Sequence, residues 1–433
     1  MLADQIAFAV AAKRDEIADL AADLVRFDTT ARLPGDPPRQ EAALQQMLAE
    51  RLRRAGAEIE LREPAPGDLA RWARQVGTEL DFVGRPQLVA RWHGSGGGRS
   101  LVLNGHIDAV SAEPIQAWSV DPFAGTIDAG RLIGRGACDM KGGIAAMVVA
   151  AETVAASAGP LAGDLVINTV TDEESSGAGT LACIAAGLRA DGVIVPEPTG
   201  FDVWVACRGS LTPTITIQGR PGHAELTQPD WRKGGAVNAI EKLQVVLDAL
   251  ARLREHWRTS EAQRHPYLAP GTIVPVLVDG GEWFVTYPAS CRLTCELMYL
   301  PQGADERGEG TLVEAELEQW LREQAAADPW LALNPPSIGW GSDIPPAEIA
   351  ADSDLAAVTL EAATSSGADG RIAGFDSWHD GASFIRAADS PAVAFGPPST
   401  RDAHTIDESV SIDDLVTCAQ TIALAAIEWC SAR

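Results

Sequence analysis

Residues 165–180 read LVINTVTDEESSGAGT, and the reading of this stretch decides the fold. Leu165, Val166, Ile167 and Val170 are apolar and β-leaning; three acids follow at Asp172, Glu173 and Glu174, then small residues and a helix predicted from about Ala178. A buried-type strand that runs through a polar loop into a helix is the repeating unit of a layered α/β domain. Three adjacent carboxylates repel one another, so a loop of this kind in a cleft needs something to offset the repulsion. A loop facing water needs nothing.

Outward from this stretch the same grammar holds. Residues 4–27 and 39–56 carry apolar positions at helical spacing and predict two amphipathic helices separated by a proline-rich loop. PQLVARWHGSGGGRSLVLNGHID (86–108) predicts strand, glycine turn, strand, with the glycines forming a hairpin rather than a phosphate loop, since no Gly-Lys-Ser/Thr and no helix follows. A helix opening at KGGIAAMVVAA and the strand DGVIVPEP complete a mainly parallel sheet. From about residue 209 the pattern changes to period-two strands (LTPTITIQG, TIVPVLVDGG, CRLTCELMYL) and two long helices, the mark of a small antiparallel α+β domain. Helix and strand alternate again from about 350. The predicted organisation is therefore an α/β domain made of residues 1–208 and 341–433, with an inserted α+β domain at 209–340.

Composition limits the partners. The 433 residues exceed one ordinary core, 46% are hydrophobic and 22% charged, as in globular domains. A formal charge of −26 argues against nucleic acid or an anionic membrane as partner. The acidity favours solubility and cationic ligands, metals included. Seven scattered cysteines with no C-x-x-C pair suggest neither a disulfide framework nor a thiolate zinc site, and a reducing cytoplasm is expected. The N-terminal residues lack the basic start and apolar core of a signal peptide, and the longest apolar run is short of a membrane span.

Four segments place a potential metal ligand at or just beyond the end of an apolar strand: LVLNGHIDAV with His106 and Asp108, the opening stretch with Asp172, Glu173 and Glu174, VIVPEPTG with Glu197, and AVAFGPPSTRDAHTIDE with His404. A fifth, GRGACDMKGG, sets Asp139 in a glycine-rich loop before a helix. Strand ends of an open α/β sheet converge on one edge, where ligands bind. Each residue alone also fits an ordinary role: a structural histidine, a helix-start acid serving the dipole, a cap at Asp139, a turn at Glu197. Taken together they point to one site. His106 and Asp108, two apart, share a side in extended backbone, where a carboxylate can fix the tautomer of a ligating imidazole.

GHIDAV, GRGACDMKGG, TDEESSGAGT, EPT, GRPGHAE (219–225) and AHTIDES resemble, in order and spacing, the signatures of the M20 family of dizinc amidohydrolases and peptidases. The resemblance covers nearly the whole chain. It implies a zinc-binding α/β domain with an inserted lid domain that forms a homodimer. It implies that Asp139 bridges two divalent metals, one also held by His106 and Glu197, the other by Glu174 and His404, with Asp108 orienting His106 and Glu173 as general base. Zinc suits these nitrogen and oxygen donors, and cobalt or manganese could take the same place. Cations about 3.5–4 Å apart would explain why the acids can crowd. His223 in GRPGHAE matches the lid histidine that donates to the oxyanion across the dimer.

The implied activity is removal of an acyl group from an N-acyl amino acid or related amide; carboxypeptidase or dipeptidase chemistry is the alternative, and a non-catalytic binding protein on the same scaffold a more distant one. Asn238 matches a family asparagine associated with substrate, and equally fits the first turn of a helix. Gly396 either lets backbone approach a substrate carboxylate or ends a strand. His379 in DSWHDGASF either lines the pocket or caps and packs. Met298 stands where many members carry an arginine that grips the substrate carboxylate, leaving Arg292 and Arg208 as candidate replacements. Trp118, Trp231, Trp283 and Trp378 are candidates for contacts with an apolar or aromatic acyl group, or for core and interface positions.

Overall fold

The computed structural model describes residues 2–31, 37–65, 67–77 and 80–431. Residues 32–36 of the proline-rich loop expected between the first two predicted helices lie outside the described residues. The chain divides into two compact units, Met1–Ala206 with Glu348–Gly374 and His379–Arg433, and Cys207–Ala347 with Phe375–Trp378.

The first unit is built on a mixed sheet. In spatial order its strands are Glu58–Arg62, Gln87–Trp92, Leu165–Val170, Leu101–His106, Gly192–Val195, Ala392–Ala394, Val203–Cys207 and Ala347–Glu348, and Ile372–Phe375 also pairs with Val203–Cys207. The four central strands, Leu165–Val170 to Ala392–Ala394, run parallel. The strands flanking them are antiparallel. Every residue of Leu101–His106, Leu165–Val170 and Gly192–Val195 is buried, as expected where helices cover both faces of a parallel sheet.

The expected hairpin at 86–108 does not form. Gln87–Trp92 and Leu101–His106 both pair with Leu165–Val170, one antiparallel and one parallel, so the glycine-rich connection passes over an intervening strand. The first predicted helix is also two, Leu2–Ala11 and Arg14–Val25. At the break the Lys13 N–H bonds to Val10 O, a tightened turn, and the second helix restarts with Asp15 and Glu16 in its first turn.

Among the described residues one helical stretch, Ala137–Ala158, is long and apolar enough to cross a membrane by length and composition, but 78% of its apolar 18-residue window is buried. Helix Gly142–Ala158 packs against Ile412–Ser431 and Arg14–Val25. It is apolar all round because it is surrounded.

The second unit has an antiparallel sheet in the order Thr272–Gly280, Ser290–Tyr299, Gly209–Gln218, Ser337–Ile344. Leu211, Ile215 and Ile217 pack with Leu293 and Leu297 into a core shared with Leu243, Val246 and Leu317 of helices Ala239–Thr259 and Thr311–Ala325. The intervening Thr212, Thr214 and Thr216 are half-buried, giving the period of two seen in the sequence. Strand Ser337–Ile344 carries this unit past residue 340, because it pairs with Gly209–Gln218. Its alternation, SIGWGSDI, is too weak to be recognised as a strand.

Candidate metal centre

The sheet order explains where the site lies. The chain leaves Leu101–His106, reaches Leu165–Val170 on one side through helix Gly142–Ala158, then crosses back to Gly192–Val195 through helix Ala178–Ala185. The two crossovers travel in opposite directions. Right-handed connections therefore put their helices on opposite faces, opening a crevice at the carboxyl ends of the strands. His106 ends its strand; Glu173 and Glu174 lie just beyond Val170, Glu197 just beyond Val195, and His404 in the loop after Ala392–Ala394. Asp139 comes from an irregular turn, Ala137–Lys141, where its φ of −124° and ψ of 97° break helical geometry.

The structure brings these side chains together. His106 Nε2 lies 3.1 Å from Asp139 Oδ1 and 4.0 Å from Glu197 Oε1. His404 Nε2 lies 3.4 Å from Asp139 Oδ2 and 3.3 Å from Glu174 Oε2. The two oxygens of Asp139 thus face different histidines. Glu174 Oε1 and Glu197 Oε1 are buried with no hydrogen-bond partner. Buried carboxylate oxygens left in that state are costly, and a cation satisfies them. Ligand atoms of His106, Asp139 and Glu174 also lie within 4.8 Å of one another. The donor set fits divalent ions.

Electrostatics carry the same message. Burial draws the His106 imidazole toward neutrality, but Glu173, Asp139, Glu197 and Asp108 outweigh it and hold its pKa well above the ordinary value. Hydrogen bonds to Asp139 and Glu174 push His404 up to about 10. Burial raises the carboxyls of Glu173, Glu174 and Glu197. Burial would raise Asp139 too, yet its hydrogen bonds with His106 and His404 hold it below the usual carboxylate range. Such a cluster retains protons, which bound cations would displace.

Peptidase family M20/M25/M40 is the family whose model matches residues 102–428. The chain belongs to this family. It is 29% identical over 438 residues to N-formyl-4-amino-5-aminomethyl-2-methylpyrimidine deformylase of Halalkalibacterium halodurans, covering 97% of this chain and 96% of the relative. It is 32% identical over 359 residues to succinyl-diaminopimelate desuccinylase of Cereibacter sphaeroides, covering 78% and 85%. A tripeptidase from Staphylococcus aureus shares the fold, with a TM-score of 0.70 at 18% identity over 96% of this chain and 98% of that one.

For this M20 chain the three adjacent acids of the opening stretch separate into two roles. Asp172, at a φ of 73°, accepts from Arg85 and from Ser176 Oγ, while its carbonyl takes the Ser176 and Gly177 N–H groups. It shapes the turn. Glu173 and Glu174 enter the cluster, with Glu173 Oε2 3.9 Å from His106 Nε2. Asp108 departs from expectation: its main-chain oxygen lies 3.0 Å from His106 Nδ1, while its carboxylate, 3.6 Å away, accepts the N–H groups of Glu173 and Glu174 at 3.3 and 3.1 Å. The tautomer is still fixed, with Nε2 turned to the site.

The expected substrate contacts fare differently. Gly396 has its N–H on Thr199 Oγ1 and its carbonyl on the Thr199 and Phe201 N–H groups, and an added Cβ would lie 2.7 Å from Glu197 O. Its backbone is engaged within the protein. His379 is buried, which lowers its pKa to about 4, and its Nδ1 accepts the Gly381 N–H, the capping role.

Asn238 caps helix Ala239–Thr259, accepting from the Ile240 and Glu241 N–H groups. His223 lies in the second unit, its Nδ1 accepting the Glu225 N–H. Met298 is half-buried opposite Thr272 and Ser210. Neither candidate arginine is free: Arg208 donates to the carbonyls of Asp376 and Pro270, and Arg292 to Asp279.

The tryptophans divide similarly. Trp118 donates to Ala112 O, Trp231 packs edge-on against Trp330, and Trp378 has a buried Nε1 without a partner. Trp283 is 62% exposed beside Phe284.

Proposed function

We propose that this chain is a dimetal amidohydrolase that removes a small acyl group from an N-acyl amine. The observation that carries the reading is Asp139, whose two oxygens face His106 and His404 separately, with Glu173 beside them. The cations would be held by His106, Glu197 and Asp139 on one side and by His404, Glu174 and Asp139 on the other; zinc is the proposed ion, with cobalt or manganese able to replace it. Bound there, such ions acidify a water and polarise an amide carbonyl.

The chain's own groups do the rest. Glu173, close to the cluster without being assigned as a ligand, takes the proton of the attacking water and returns it to the departing amine. Asp108 holds Glu173 through its N–H. His223, from a second copy of the chain, donates to the oxyanion.

Two features support a substrate whose amine part lacks a carboxylate: Met298, and the engagement of Arg208 and Arg292 elsewhere. The full-length relation to a formylaminomethylpyrimidine deformylase supports an N-formyl heteroaromatic methylamine as first choice, ahead of N-acyl amino acids. The tripeptidase-like fold favours peptide hydrolysis as the second reading. Turnover of N-formyl, N-acetyl, N-succinyl and dipeptide substrates by metal-stripped protein resupplied with zinc or cobalt distinguishes them. Cleavage of dipeptides alone would overturn the deacylase reading. A cytoplasmic setting is supported by the cysteines, all seven of which are buried free thiols.

A further inference from the structure

The carboxylate of Asp108 grips two consecutive backbone N–H groups, those of Glu173 and Glu174. A second buried carboxylate repeats the arrangement on the other ligand loop. Glu408 Oε1 accepts the N–H groups of Cys138 at 2.8 Å and Asp139 at 3.1 Å, and Oε2 accepts Arg135 Nη1 at 2.5 Å. The Glu408 and Arg135 side chains are 0% and 2% exposed.

These bonds answer a need created by the backbone. Because Asp139 is non-helical inside its turn, helical bonding cannot be relied on to satisfy the amides there, and buried N–H groups without a partner are costly. A buried ion pair is a weak source of net stability, so its contribution here is geometric.

Glu408 also lies four residues after His404. Its own carbonyl accepts the Gly134 N–H, residues 409–411 pair with 131–133, and Asp407 accepts from Ser119. The segment that supplies His404 is thereby bolted to the turn that supplies Asp139.

We propose that Glu408, paired with Arg135, is a positioning residue that fixes the backbone at Asp139 relative to His404 and so sets the affinity of the site for its cations. The inference rests on the dimetal reading above. Loss of such outer contacts typically weakens metal binding 10–100-fold.

The test is equilibrium zinc binding by the metal-free full chain, competed against a chromophoric chelator, with the visible spectrum of the cobalt-loaded protein as a second readout. Glu408→Gln cannot serve the two N–H groups and Arg135 together, because its amide nitrogen is a donor. The expected result is at least one zinc bound 10–100-fold more weakly than in wild type and an altered cobalt spectrum, in a protein that still folds but with a lower metal-free thermal midpoint, because Arg135 is left buried without its counter-charge. Arg135→Met should weaken zinc binding in the same way, whereas Arg135→Lys, which keeps the charge pair, should stay within a few-fold of wild type, and this comparison remains informative if Glu408→Gln does not fold.

Wild-type zinc affinity and an unchanged cobalt spectrum in folded Glu408→Gln would overturn the proposal, as would Arg135→Lys binding as weakly as Arg135→Met. Failure of the wild-type chain itself to bind two ions would instead defeat the dimetal reading.

Discussion

Asp139 and Glu173, the proposed ligand and the proposed base, lie close together in this crevice. Both are carboxylates near His106 Nε2, but Asp139 lies 3.1 Å from it and 3.4 Å from His404 Nε2, whereas Glu173 stands farther off, at 3.9 Å from His106 Nε2. Glu173→Gln should therefore retain both cations while turnover falls by about 10²–10⁴-fold, measured on the N-formyl substrate alongside metal content. Unchanged turnover removes Glu173 from its role.

His379 offers an independent check by pH. Its folded-state pKa of about 4 lies below the ordinary 6.5, so between these values the unfolded chain binds a proton that the native chain refuses. Stability falls as pH drops from 6.5 and the loss is complete below 4, to at most about 3 kcal/mol. His379→Gln should flatten the fall of the denaturation midpoint across that window relative to wild type; an identical slope contradicts the buried neutral imidazole.

The residues that meet here were suggested by their sequence contexts, since each stands at or near a strand end. Glu408 and Arg135 lie inside the quoted AHTIDES and GRGACDMKGG segments but were not singled out there, because a buried glutamate that serves backbone amides leaves no periodicity or composition signal. The use of the Asp108 carbonyl in place of its carboxylate was equally invisible.

Among elements, close approach determines which residues are allowed. Helix Gly142–Ala158 begins against the end of strand Gly192–Val195, and a Cβ at Gly143 would lie 2.2 Å from Pro196 O, next to Glu197. Gly143→Ala must push helix and strand apart and should cost about 1–3 kcal/mol of stability. Chemical denaturation measures this, and a neutral substitution would show that the contact yields easily.

Helices and strands were legible where apolar periodicity was long, as in Ala239–Thr259 and Gly209–Gln218. Pairing was not. The strand between Gln87–Trp92 and Leu101–His106 comes from residues about 60 positions later, and no local signal reports such a partner. The small sheet of Thr126–Asp128, Arg131–Ile133 and Ser409–Ser411 was missed because its strands, of three residues each, are too short to show a period.

At the scale of the molecule, the second unit presents an edge strand, Thr272–Gly280, with Val274, Val276, Leu277 and Val278 47–68% exposed. Apolar edges of this length invite pairing with another chain. Dimerisation through this edge is proposed, and Val276→Lys with Leu277→Lys should shift the mass seen by light scattering from dimer to monomer. A wild-type monomer at micromolar concentration contradicts it.

Anomalous diffraction at the zinc edge from zinc-loaded crystals tests the dimetal centre itself. It should show two ions about 3.5–4 Å apart on either side of Asp139, one beside His106 and Glu197 and the other beside His404 and Glu174. A single ion, or none, on these side chains at saturating zinc would contradict it.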